Sequence, residues 1–178
     1  MKAQGDAIAE AAANLSASKK ETEAKQAALA VEQVRTEQLK AEVQKEVKQK
    51  FMTELKAYRD MTQKGREQLD NAVVEINAKR EVTAFVYANQ GKFLEEIRGK
   101  VVDLRNTRTP AAYQSQVDDL VNSLGQFLEA AKQFRNAIVS IEEQGSAEFT
   151  AGFAKGKTAL ANAVALLANV SDLIAANQ

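Results

Sequence analysis

The chain has 178 residues, 24 Lys/Arg against 24 Asp/Glu, and no Cys, His or Trp. Without thiolates or imidazoles it cannot assemble disulfides, zinc sites, the Glu-x-x-His di-iron arrangement, or Ser-His and Cys-His nucleophile pairs. The excess of basic residues over 1–108 (20 against 17) and of acidic residues over 109–178 (7 against 4) is a mild dipole, which weighs against a dedicated nucleic-acid binder.

With 8 Gly and the single Pro110, turn punctuation is scarce. Ala, Glu, Lys, Gln and Leu dominate and lose little entropy on entering a helix, so the elements should be long helices. Met1–Ala12 has no basic-then-apolar pattern of a secretory signal. The expectation is a cytoplasmic chain, one already processed, or part of an assembled particle.

From about Asp6 to Lys64 the spacing predicts one charged helix. Its N-cap is either Asp6, after Gly5, or Ser18, which forms a capping-box pattern with Glu21. Glu21–Lys25 and Glu46–Lys50 stand in the favourable i, i+4 order. Leu39, Val43, Val47, Phe51 and Leu55 advance in steps of four, and Tyr58 follows. Such a stripe wraps around the helix and implies more than one neighbour. At ~1.5 Å per residue this helix would be on the order of 90 Å long, more than a chain of this size can bury by itself.

Lys64-Gly65 reads either as a helix C-terminus or as a point within a continuous helix. A second helical stretch is predicted from about Arg66 to Arg105, with Leu69, Val73, Ile76, Val82, Phe85, Val86, Phe93, Ile97, Val101 and Leu104 on its apolar side. Asn106–Pro110 should then be a loop, with Thr109 as N-cap and Pro110 at the first helical position.

Tyr113, Val117, Leu120, Leu124, Phe127, Ala131, Phe134, Ile138 and Ile141 step 4-3-4-3, the rhythm of a packed seam. After Gln144-Gly145-Ser146, Phe149, Phe153, Gly156, Leu160, Ala163, Leu167, Val170 and Ile174 repeat it. The short joint predicts an antiparallel hairpin in which Ser146 caps the second helix. The expected fold is all-α: an elongated helical bundle or coiled coil with a C-terminal antiparallel helical hairpin. Long charged coiled-coil helices occupy 1–108 and the hairpin occupies 109–178.

Several local patterns carry a chemical reading beside a plainer one. Ala151-Gly-Phe-Ala-Lys-Gly-Lys157-Thr158 fits a permissive P-loop, but that chemistry needs a strand-to-helix loop and no βαβ alternation surrounds it. Gly152 and Gly156, with Ala159 and Ala163, form a small-residue ridge suited to close helix approach, in a membrane or in a tight pair. Thr158–Ala176 is the most apolar stretch, yet Asn162, Asn169, Ser171 and Asp172 interrupt it, short of a stable transmembrane helix. Glu95-Glu96, Asp118-Asp119 and Glu142-Glu143 are adjacent on helices, so each pair diverges by about 100° and reads as solvated surface.

Tyr58, Tyr87 and Tyr113 read as boundary core residues with wetted hydroxyls, the alternative being interface anchors. Lys40–Arg66 holds eight basic and four acidic residues, a solvated face or a strip for anionic surfaces. The glycosylation patterns at Asn14 and Asn169 fall in predicted helix without a signal sequence.

The expectation is a non-enzymatic structural or interaction protein, a subunit of a larger assembly of the virion, secretion or scaffold type. Its partners would be its own copies or other helical proteins, with no cofactor, metal or evident small-molecule substrate. The alternative is a membrane-active pore-forming or translocation protein that deploys its Ala/Gly-rich hairpin after a trigger.

Overall fold

Long runs without proline and with good helix formers become helices, and among the described residues there is no strand. The computed structural model describes the backbone of residues 2–78, 84–139 and 147–177, and the side chains of 10, 14–78, 86–138 and 147–177. The chain is all-α. Its helices are α1 (Lys2–Asn77), α2 (Ala84–Thr107), α3 (Gln114–Val139) and α4 (Ala147–Ala175), with a short 3-10 turn at Ala111–Tyr113.

It divides into two units, residues 1–47 and 48–178. The loop before Pro110, where the sequence reading placed a domain boundary, lies inside the second. In residues 1–47 every described side chain is exposed. The backbone there is helical from Lys2, so Asp6 and Ser18 both lie within the helix and neither begins it. Ser18 uses its carbonyl to accept from the Thr22 hydroxyl at 2.9 Å. Glu21 and Lys25 form the expected ion pair at 2.7 Å; no contact joins Glu46 and Lys50 among the described residues.

The second unit buries one apolar core drawn from all four helices: Phe51, Leu55, Leu69 and Ile76 of α1, Tyr87, Leu94, Val101 and Leu104 of α2, and the facing stripes of α3 and α4. Cross-contacts give the order of packing. Arg108 donates to Glu54 at 2.9 Å, and Phe51 stacks on Tyr113 with ring centroids 5.4 Å apart. Arg105 donates to Asp118, and Tyr87 meets Phe134 at 5.8 Å. Arg59 donates to Ser171 at 3.2 Å. Three polar side chains buried among the described residues are satisfied by carbonyls: Thr62 by Tyr58, Gln90 by Gly65 and Ser123 by Ala163.

Of the two readings at Gly65 the continuous helix holds, since α1 runs unbroken through it to Asn77; the single helix expected over 66–105 is corrected, because α1 ends at Asn77. Gly65 lies where α1 and α2 approach: a Cβ there would stand 2.7 Å from Leu94 Cδ2, and its carbonyl accepts from Gln90 Nε2 at 3.2 Å. Its lack of a side chain serves close packing instead of a turn. Gly65→Ala is expected to destabilise by about 1–2 kcal/mol, overpacking outweighing the gain in helix propensity. In a urea-unfolding double-mutant cycle, Leu94→Ala should absorb most of that loss. Strict additivity of the two substitutions would rule out the Leu94 contact as its cause.

Thr109 and Pro110 also depart from expectation. Pro110 is the extended residue that precedes the 3-10 turn, accepting from the Tyr113 N–H at 2.9 Å, and no side chain caps that turn. The Thr109 hydroxyl instead donates back to the Leu104 carbonyl at 2.9 Å. That carbonyl also accepts from the Arg108 N–H at 3.0 Å, so both of its lone pairs are used at the end of α2. Ile141, Glu142-Glu143 and the Gln144-Gly145-Ser146 joint lie outside the described residues, as do the side chains of Val82 and Phe85.

Candidate interaction surfaces

The seam residues singled out from the sequence are interior. Val117, Leu120, Leu124, Phe127, Phe134 and Ile138 of α3, and Phe153, Leu160, Leu167 and Ile174 of α4, are buried; Tyr113 and Phe149 are partly buried against them. Phe134 meets Phe153 at 5.6 Å, Ser123 donates to the Ala163 carbonyl at 2.8 Å, and Asn169 donates to Asp119 at 3.0 Å. Numbers fall on α3 as they rise on α4. These side chains hold the unit together and are not available to a partner while it stays folded.

The apolar residues that do face solvent are concentrated in 1–47. Leu15, Leu29, Leu39, Val43 and Val47 are each more than half exposed, as are Val31 and Val34. At about 100° per residue the first five fall within an arc of roughly 120°. Val31 and Val34, flanked by the exposed Ala24, Ala27 and Ala41, lie on the opposite side. The stripe read from the sequence divides: Leu39, Val43 and Val47 lie on the first of these faces, while Phe51 and Leu55 are buried in the core and Tyr58 packs against it. Between the two faces, residues 14–47 carry six basic and six acidic side chains.

The basic residues over 40–66 are partly engaged. In 48–66, Lys48 lies over the Tyr113 ring at 6.0 Å, and Arg59 and Arg66 pair with Asp60 and Asp70 at 2.7 and 3.2 Å. α4 is long and apolar enough to cross a membrane by length and composition, but here it buries Phe153, Gly156, Leu160, Ala163, Leu167, Val170 and Ile174 along one face.

The chemical patterns find no matching geometry. Residues 151–158 lie wholly within α4, so their N–H groups belong to the helix. Thr158 donates to the Ala154 carbonyl at 3.1 Å and Lys157 sits 5.0 Å over the Phe153 ring. A phosphate-cradling loop needs free N–H groups converging on one point, which a helix interior does not offer. Gly156 meets Phe134: a Cβ there would lie 2.5 Å from the ring. Asp118 and Asp119 turn to different helices, one to Arg105 and the other to Asn169, while Glu95 and Glu96 are exposed. No group of three or more acidic side chains close enough to hold a metal ion occurs among the described residues.

Tyr58 and Tyr113 are boundary residues, partly buried against the core. Tyr87 differs from expectation. It is 1% exposed and its hydroxyl is buried with no hydrogen-bond partner. Packing of α2 on α3 buries it, which spacing along α2 alone does not reveal. Burial holds its pKa well above the usual value of 10.0.

No protein-family model matches the chain, and no curated protein or solved structure matches it significantly.

Proposed function

We propose that this is a non-enzymatic interaction protein, a coiled-coil subunit of a larger assembly of the virion, secretion or scaffold type, whose α1 residues 1–47 associate with further copies of the chain or with other helical proteins. The observation that carries this reading is the two-sided exposure of apolar side chains on 14–47, with Val31 70% and Leu29 58% exposed. A helix with apolar residues on opposite sides needs more than one neighbour to cover them. The equal numbers of basic and acidic side chains there leave no net repulsion between copies. In this reading α3 and α4 form an antiparallel hairpin that supports the folded unit.

Sedimentation equilibrium of the full chain tests it. The mass should be a multiple of 19.4 kDa. Leu29→Lys with Val43→Lys, and separately Val31→Lys with Val34→Lys, should each reduce that mass without lowering Tm, since these residues lie outside the core. A monomer across the accessible concentration range, or lysine variants that leave the mass unchanged, would count against self-association. Mg-ATP and Mg-GTP should leave Tm unchanged.

A membrane-active role is the second reading, favoured by the length and composition of α4. Its exposure would require pulling eight buried residues out of the core. Co-flotation with anionic vesicles, with and without acidification, would reveal it; no flotation under either condition removes it.

A further inference from the structure

Between α2 and α3 lies a cleft of about 330 Å³. Its walls are apolar where Tyr87, Leu128 and Ala131 line it, and Gly91 leaves one side open, since a Cβ at that position would meet nothing within 4 Å. Lys92, Lys132 and Arg135 stand around it and make no ion pair among the described residues; Glu95 is the single acidic residue lining it. The rim therefore carries a surplus of positive charge beside an apolar floor.

The Tyr87 hydroxyl adds an independent observation. Buried tyrosine hydroxyls normally find a partner. Among the described residues four have a buried side-chain polar atom without one: Glu54, Tyr87, Arg98 and Gln116. Glu54, Arg98 and Gln116 have other polar atoms in the same group, whereas Tyr87 has only its hydroxyl. A tyrosine hydroxyl is protonated at neutral pH in any case, and burial pushes its pKa up further, so it is a donor there.

We propose that the α2–α3 cleft binds a small amphipathic carboxylate, its acid group held by Lys92, Lys132 and Arg135 and its apolar body against Tyr87, Leu128 and Ala131. A cleft of about 330 Å³ has room for the body of a medium-chain fatty acid. Lys132 and Arg135 are three residues apart on α3 and so neighbour one another on its surface, facing Lys92 of α2 across the opening. An uncharged chain of the same length would leave the cations unpartnered, so the charge decides the selectivity. This site is independent of the assembly surface on residues 14–47.

Isothermal titration calorimetry of the full chain at low salt, with sodium octanoate as probe, tests the proposal. Saturable binding at one site per chain is expected, with 1-octanol and acetate each binding at least tenfold more weakly. Gly91→Leu should fill the cleft and abolish octanoate binding while retaining the helical melt. Lys132→Gln with Arg135→Gln should weaken binding about tenfold without lowering Tm. No saturable heat with the wild-type chain, equal affinity for 1-octanol, or undiminished binding by a folded Gly91→Leu chain would each overturn it.

Discussion

Phe134→Ala is expected to lower the unfolding free energy by about 3–5 kcal/mol, near the upper end for a single aromatic truncation. The ring is fully buried, with Tyr87 of α2 at 5.8 Å on one side and Phe153 of α4 at 5.6 Å on another. It also fills the space left by the missing side chain of Gly156. One side chain thus joins three helices, and its removal leaves a void that cannot collapse easily, because the facing position is a glycine already in helix. Against a total stability of roughly 5–15 kcal/mol for a domain, such a loss is a large fraction. Urea unfolding should show a lower midpoint with an unchanged slope, and Phe134→Leu should fall between the two. A loss below about 1.5 kcal/mol, the range of volume-conserving swaps, would mean that the ring is not the joint of these helices.

The all-α class and the α3 and α4 seam were legible because a buried stripe imposes a 3.6-residue rhythm on the sequence, and Val117, Leu120, Leu124, Phe127 and Phe134 keep it without interruption. Gly65 was ambiguous because glycine marks both helix ends and close helix approaches. The rhythm of Tyr58, Thr62, Gly65, Leu69, Ala72 and Ile76 continues through it, and that continuity was the signal for an unbroken helix.

The end of α1 at Asn77 was hidden because no Gly or Pro marks it. Asn77 itself was the available hint, Asn being common at helix ends. Thr109 was misassigned because a hydroxyl both donates and accepts, and two helix termini compete for it. The cleft beside Tyr87 was not legible at all, since it arises from two helices distant in sequence whose residues carry no common spacing. Of the exposed faces of residues 14–47, only Leu39, Val43 and Val47 were legible, as the start of a stripe that continues into the core at Phe51 and Leu55; the opposite face of Val31 and Val34 was not read.

The two glycines of the small-residue ridge should respond oppositely to the same substitution. At Gly152 an added Cβ would make ordinary contacts, 3.6 Å from Ala137 Cβ and 3.7 Å from the Gln133 carbonyl. Gly152→Ala should therefore stabilise by about 0.5–1 kcal/mol through helix propensity alone. At Gly156 the added Cβ would stand 2.5 and 2.6 Å from two carbons of the Phe134 ring. That ring is hemmed in by Tyr87 and Phe153, so it cannot swing aside as an exposed side chain would. Gly156→Ala should lose about 1–3 kcal/mol to overpacking, more than helix propensity returns. Thermal melts of the two variants in the absence of lipid check this directly. A ridge kept only for helix contacts in a membrane gives no reason for the two positions to differ in water, so equal shifts in Tm would show that Phe134 does not need the space at Gly156. Gly156→Ala with Phe134→Leu should recover part of the loss, because the shorter side chain vacates the volume that the new methyl requires.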